Sequence, residues 1–167
     1  GIIRHAAEKV VNKSEFTNIF NPEGEKIDIS KPFRKVTMCE MIKEETGIDF
    51  KSNHYTLDEA IALAKEHGIE DEKHFEVGHI INAFFEKYCE DKLIQPTFLC
   101  GHPIEISPLT KADPEDPRFV QRFELYIGGH EFANAYTELN DPIDQNKRFL
   151  EQLKEGDAGN DEANEMD

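Results

Sequence analysis

Glu124, Glu131, Asn134 and Glu138 fall within one short stretch, among the apolar Phe123, Leu125, Ile127 and Phe132. So many carboxylates among apolar neighbours suit a pocket that binds cations. Two carboxylates on one face suit Mg²⁺, a hard cation that takes oxygen ligands and is usually shared with substrate phosphates. Glu138, helped by the side-chain carbonyl of Asn134, can accept hydrogen bonds from an ammonium group, which has three donors. Tyr136 can pack along an aliphatic stem. Composition alone leaves open a plainer reading, a polar hairpin face lying in water.

Whether these groups meet depends on strand parity. Gly128-Gly129 reads as a two-residue turn, which sets Tyr126 opposite Glu131 and Glu124 opposite Ala133. Alternation then puts Glu124, Tyr126 and Glu131 on one face of the hairpin. The same alternation sends Asn134, Tyr136 and Glu138 to the other. A single bulge between Glu131 and Asn134 brings all of them to one side. The expectation is therefore conditional: either a bulge lies there, or the polar groups form no common site.

The elements that must position this hairpin are read from periodicity and punctuation. Residues 2–11 carry apolar side chains at helical spacing. Residues 15–20 and 25–29 read as a hairpin around Asn21-Pro22-Glu23-Gly24, and residues 33–37 as an extended segment. A short helix starting at Thr37 or Cys39 ends at Gly47. Thr56 with Glu59 has capping-box spacing, and Gly68 supplies the stop. A longer helix is expected over about residues 74–90, where Val77, Ile80, Ile81, Phe84, Phe85 and Tyr88 follow the helical pattern. Residues 94–100 read as a strand with Pro96 at its start or on an edge, and residues 104–109 as extended or looped. Asp141 caps a last helix with Pro142 at its first position. The fold class expected is α+β, with antiparallel strands in the last third and a helical insertion over about residues 50–92.

The chain of 167 residues is of single-domain size. Its net charge of -16 and its five scattered arginines argue against a nucleic-acid surface, which needs clustered Lys and Arg. Residues 155–167 hold six acids and no base and read as a solvated, flexible tail. No apolar run is long enough to span a membrane. Cys39, Cys89 and Cys100 fit reduced thiols in a cytoplasmic protein. Cys100-x-His102, with His79 and Cys89, lacks the paired spacing of a zinc site, and Ser107 has no nucleophile context. The opening at Gly1 and the stop at Asp167 read as a segment cut from a larger protein.

The string GGHEFANAYTELNDPIDQ, with Arg122-Phe123-Glu124 before it, closely resembles the lysyl-tRNA synthetases of class II. Their late catalytic-domain segment runs GG-R-E-x-x-N-x-[FY]-[ST]-ELNDP-x-DQ. Gln95-Pro96-Thr97-Phe98-Leu99 and His102-Pro103-Ile104-Glu105-Ile106-Ser107-Pro108-Leu109 resemble the same family's preceding strand and loop. Residues 2–10 resemble the helix after the family's second class motif. The likeness covers nearly the whole chain and is weakest over about residues 50–90.

The resemblance implies part of an ATP-dependent ligase that activates lysine as an adenylate and passes it to tRNA(Lys), in an enzyme that is a homodimer. By matching positions, Glu124 and Glu131 would bind the Mg²⁺ that accompanies ATP. Asn134, Tyr136 and Glu138 would line the lysine pocket, with Glu138 facing the ammonium. His130 stands where the family commonly has Arg, which puts a phosphate-facing role there in doubt. The first and second class motifs, the Gly-rich third motif and their ATP-binding arginines are not in the sequence, so the isolated chain is expected to be inactive. The alternatives are a non-catalytic binding module derived from the same fold, or a truncated relative that modifies proteins. A binding-only module has no need of both the metal and the ammonium set, and the motif string fits the synthetases better than their shortened relatives.

Overall fold

The computed structural model describes residues 27–29, 31–70 and 72–138. The helix expected over residues 2–11, most of the hairpin that should follow it, the helix after Asp141 and the acidic tail lie outside them. Within the described residues the order is β1 (Arg34–Thr37), α1 (Met38–Thr46), α2 (Leu57–Glu66), α3 (Val77–Tyr88), β2 (Thr97–Cys100), β3 (Arg122–Ile127) and β4 (His130–Tyr136). Short 3-10 turns at Glu90–Lys92 and Ile104–Ile106 flank β2.

Local chemistry fixes the helix ends. Thr37 caps α1 in a full capping box with Glu40, and Gly47 closes it in the left-handed conformation (φ 80°). Thr56 and Glu59 form the expected box on α2, and Gly68 follows its end with φ 64°. Helix α3 starts at Val77, three residues later than apolar spacing suggests. Glu76 and His79 close a reciprocal cap there, so His74 and Phe75 stay outside.

The four strands form one mixed sheet in the order β1-β2-β3-β4. β1 and β2 pair in parallel, Arg34 opposite Thr97 and Thr37 opposite Cys100. A parallel pair needs a long crossover, and α1, α2 and α3 supply it. β2 with β3 and β3 with β4 are antiparallel. Pro96 precedes β2, where its carbonyl accepts from the Arg34 amide at 3.2 Å. Residues 27–29 form no strand; Ile27 and Ile29 instead pack with Leu125 and Ile127 on one face of the sheet. The other face sends Val36, Leu99 and Tyr126 into the main core with Met38, Ile42, Ile80 and Phe84 of the helices. Among the described residues no helix is long and apolar enough to cross a membrane.

Candidate functional site

Gly128 and Gly129, both at positive φ (61° and 78°), make the tight turn between β3 and β4. Such a turn needs two residues that tolerate the left-handed region, which glycine does at no steric cost. Ile127 faces His130 and Tyr126 faces Glu131, as the two-residue turn requires. One step later the register shifts: Leu125 lies opposite Ala133 and Glu124 opposite Asn134. Phe132 is the extra residue. The bulge falls between Glu131 and Asn134, and it replaces the plain alternation that would have set Glu124 opposite Ala133.

The consequence is a shared face. Directly opposed residues of an antiparallel pair point the same way, so Glu124 with Asn134, Tyr126 with Glu131, and Arg122 with Tyr136 lie on one side. Glu138 stands two residues beyond Tyr136, where its backbone bridges to Thr110. The far half of this face, at Val36 and Leu99, is covered by helices. The half nearer β4 is open, and Asn134, Tyr136 and Glu138 are exposed there. A shallow recess of about 210 Å³ is lined there by Ser107, Leu109, Thr110, Arg122, Asn134 and Tyr136. A larger cavity of about 840 Å³ opens among Lys35, Phe98, Cys100, Phe123, Ala135 and Thr137. Those residues belong to the opposite face, and of the five candidate residues only Tyr136 reaches that cavity.

Glu124 is 6% exposed and sits in a polar network. One carboxylate oxygen accepts from the Arg122 guanidinium. The other accepts from the Tyr126 hydroxyl at 2.9 Å and lies 3.3 Å from Nε2 of His102, a ring 1% exposed. The His102 contact is close but poorly aligned, since neither ring nitrogen completes a hydrogen bond. Burial works against charge on Glu124, yet the His102 ring, Arg122 and the Tyr126 hydroxyl outweigh it and hold the carboxyl below its ordinary value. Burial first, and Glu124 and Glu131 after it, push the Tyr126 hydroxyl well above its own. That phenol stays a donor.

Arg122 does more than neutralise Glu124. Its Nε donates to the Asn134 side-chain oxygen at 3.0 Å, and Nη1 donates to Ser107 Oγ at 2.8 Å. Because Nε can only donate, the Asn134 atom facing it must be the carbonyl oxygen. The Asn134 carbonyl, expected to help Glu138 accept from an ammonium, is thus engaged by Arg122. The amide NH₂ is the half turned away. Parity could have flagged Arg122, since it lies two residues before Glu124 on the same face. His102 and Ser107 carry no such signal, because they reach the site only through the loop after β2.

Two carboxylates fit Mg²⁺ when substrate phosphates complete its shell. Among the described residues no group of three or more His, Cys, Asp or Glu could hold a metal by itself. Both oxygens of Glu124 are already engaged, one by Arg122 and the other by Tyr126, so a cation there would compete with these donors.

The family described as tRNA synthetases class II (D, K and N) matches the chain over residues 1–167. The chain is 54% identical over its whole length to a protein named lysine–tRNA ligase from Enterococcus faecalis and spans 32% of it. It is 56% identical, over 99% of its length, to one of the same name from Onion yellows phytoplasma, spanning 31% of that protein. A third, from Lactococcus lactis, is 53% identical over the whole chain, which spans 33% of it. The chain thus spans about a third of the curated relatives it matches.

Proposed function

The chain belongs to the class II tRNA synthetases (D, K and N), and on that premise we propose that it forms the amino-acid side of the active site of a lysine–tRNA ligase. The observation that carries this reading is the Phe132 bulge, which sets Asn134 and Tyr136 on the face that holds Glu124 and Glu131; Glu138, two residues beyond, continues the same alternation in this reading. Along β4 and just past its end, the three pocket residues recur every second position. Their order matches the parts of an extended lysine. The Asn134 amide NH₂ meets the α-carboxyl end, the Tyr136 ring lies along the methylenes, and Glu138 accepts from the ammonium. A carboxylate in the last position selects lysine, because a neutral side chain of equal length leaves it unpaired.

The reaction supported is attack by the lysine carboxylate oxygen on the α-phosphorus of ATP, with release of pyrophosphate, followed by transfer of the lysyl group to tRNA(Lys). Mg²⁺, when bound, supplies charge neutralisation on the phosphates. Glu131 would hold it from the open end of β4 and Glu124 from the buried network. The arginines that the family resemblance requires on the triphosphate are assigned to parts of the relatives outside residues 1–167. His130, exposed at the start of β4, is not given a phosphate-binding role.

The test sets residues 1–167 in place of the matching segment of the full-length Enterococcus faecalis relative and measures lysine-dependent ATP–pyrophosphate exchange. Exchange specific for lysine is expected. A folded chimera without exchange would overturn the assignment. The chain on its own is expected to show none.

A further inference from the structure

We propose that Arg122 is a positioning residue for amino-acid recognition, acting through Asn134; the proposal rests on the pocket reading above. Three different nitrogens of one guanidinium are engaged, each on a different element. Nε holds Asn134 on β4, Nη2 holds Glu124 on β3, and Nη1 holds Ser107 in the loop after the second 3-10 turn. Ser107 and Glu124 are each 6% exposed, so the fork is anchored on its inner side by groups that cannot easily move. Asn134 is exposed and lies at the rim of the recess.

An exposed asparagine amide turns freely about its last torsion, and either half can face a substrate. The bond from Nε removes that freedom. It fixes the carbonyl toward Arg122 and presents the NH₂ to the pocket, so that Asn134 offers a donor. The planar fork is what makes this possible. A lysine at the same position keeps the charge beside Glu124 but cannot hold three partners in one plane. Arg122 thereby links the residue read as a metal ligand to the residue read as a lysine ligand.

The test is a double-mutant cycle in the full-length chimera, reading the KM for lysine and for ATP in Arg122→Lys, Asn134→Ala and the pair. Asn134→Ala is expected to raise the lysine KM about tenfold and Arg122→Lys about three- to tenfold, with the ATP KM changing less than about threefold. The pair should match Asn134→Ala alone within about twofold, because Arg122 then has no amide left to orient. A residue needed only for folding would act equally on both backgrounds and on both substrates. If Arg122→Lys fails to fold, Ser107→Ala loosens the same fork. It should raise the lysine KM about two- to fivefold and lose that effect on the Asn134→Ala background. Fold-changes that multiply in the pair, or lysine and ATP KM rising together, overturn the proposal. An Asn134→Ala variant with unchanged lysine KM overturns the pocket reading as well, which distinguishes the two failures.

Discussion

Deleting single residues from β4 tests the bulge directly, because side chains alternate and a shift of one position turns everything beyond it to the other face. Removing Phe132 takes out the extra residue itself. Leu125 still meets Ala133 and Glu124 still meets Asn134, now in a regular ladder, so the whole polar set stays together. Removing Ala135 has no such solution. If the bulge persists, Tyr136 moves opposite Phe123, and Glu138 turns away with it. If the bulge is absorbed, Tyr136 stays opposite Arg122, but Asn134 turns to the face of Phe123. Either way Asn134 and Glu138 part company.

The magnitude follows from what is lost. A hydrogen bond to a charged group contributes about 1.5–3 kcal/mol, so losing the Glu138 contact raises the lysine KM roughly 10- to 150-fold. Losing Asn134 instead costs at the lower end of that range. The Phe132 deletion should stay within about threefold of the parent. Lysine-dependent ATP–pyrophosphate exchange at varied lysine in the full-length chimera gives the KM, and thermal melting confirms that each variant folds. A folded Ala135 deletion with the parent KM, or a Phe132 deletion as damaging as the Ala135 one, would refute the register argument.

Gly78→Ala is expected to destabilise the protein by about 1–3 kcal/mol, read as a lowered Tm. A Cβ there would lie 2.0 Å from Glu105 Oε2 and 2.7 Å from Pro103 Cβ. Acid sensitivity should depend on Glu124. Its folded pKa is depressed from 4.5, so its contribution to stability is fully present above that value and lost as pH falls through the folded one. Glu124→Gln should flatten the acid side of a Tm–pH curve, and an unchanged acid limb would contradict the network. Glu105 runs the other way, since burial raises its carboxyl and any stability tied to it fades as pH rises above the ordinary value. Cys39 and Cys89, pushed up to about 12 and about 11 by burial, should resist alkylation at pH 8 until denaturant is added, as mass spectrometry of the labelled chain would report.

Much of this was legible in the residues, and the limits have physical causes. Thr37 with Gly47 and Thr56 with Gly68 mark helix ends because caps are local chemistry. The start of α3 was overestimated because apolar spacing cannot register a Glu76–His79 cap. The bulge was readable as a condition, since Glu131 and Asn134 stand an odd number of positions apart and can share a strand face only if one extra residue intervenes. Parallel pairing of β1 with β2 was not readable, because its partners are 63 positions apart in Arg34 and Thr97 and joined by three helices. The network around Glu124 was missed for a related reason. His102 and Ser107 come to it through a loop, where no periodicity reports direction. The resemblance pointed to Glu124 as a metal ligand but not to the guanidinium that holds it.

The proposed site divides its labour along one face, with amino acid toward Glu138 and metal toward Glu131. Measuring lysine KM and Mg²⁺ dependence for Glu138→Gln and Glu131→Gln in the full-length chimera addresses that division directly. Glu138→Gln should raise the lysine KM about tenfold or more while the Mg²⁺ and ATP dependence stays near that of the parent. Glu131→Gln should shift the Mg²⁺ requirement upward and leave lysine nearly unchanged. Equal effects of both substitutions on lysine and on Mg²⁺–ATP would contradict the assignment.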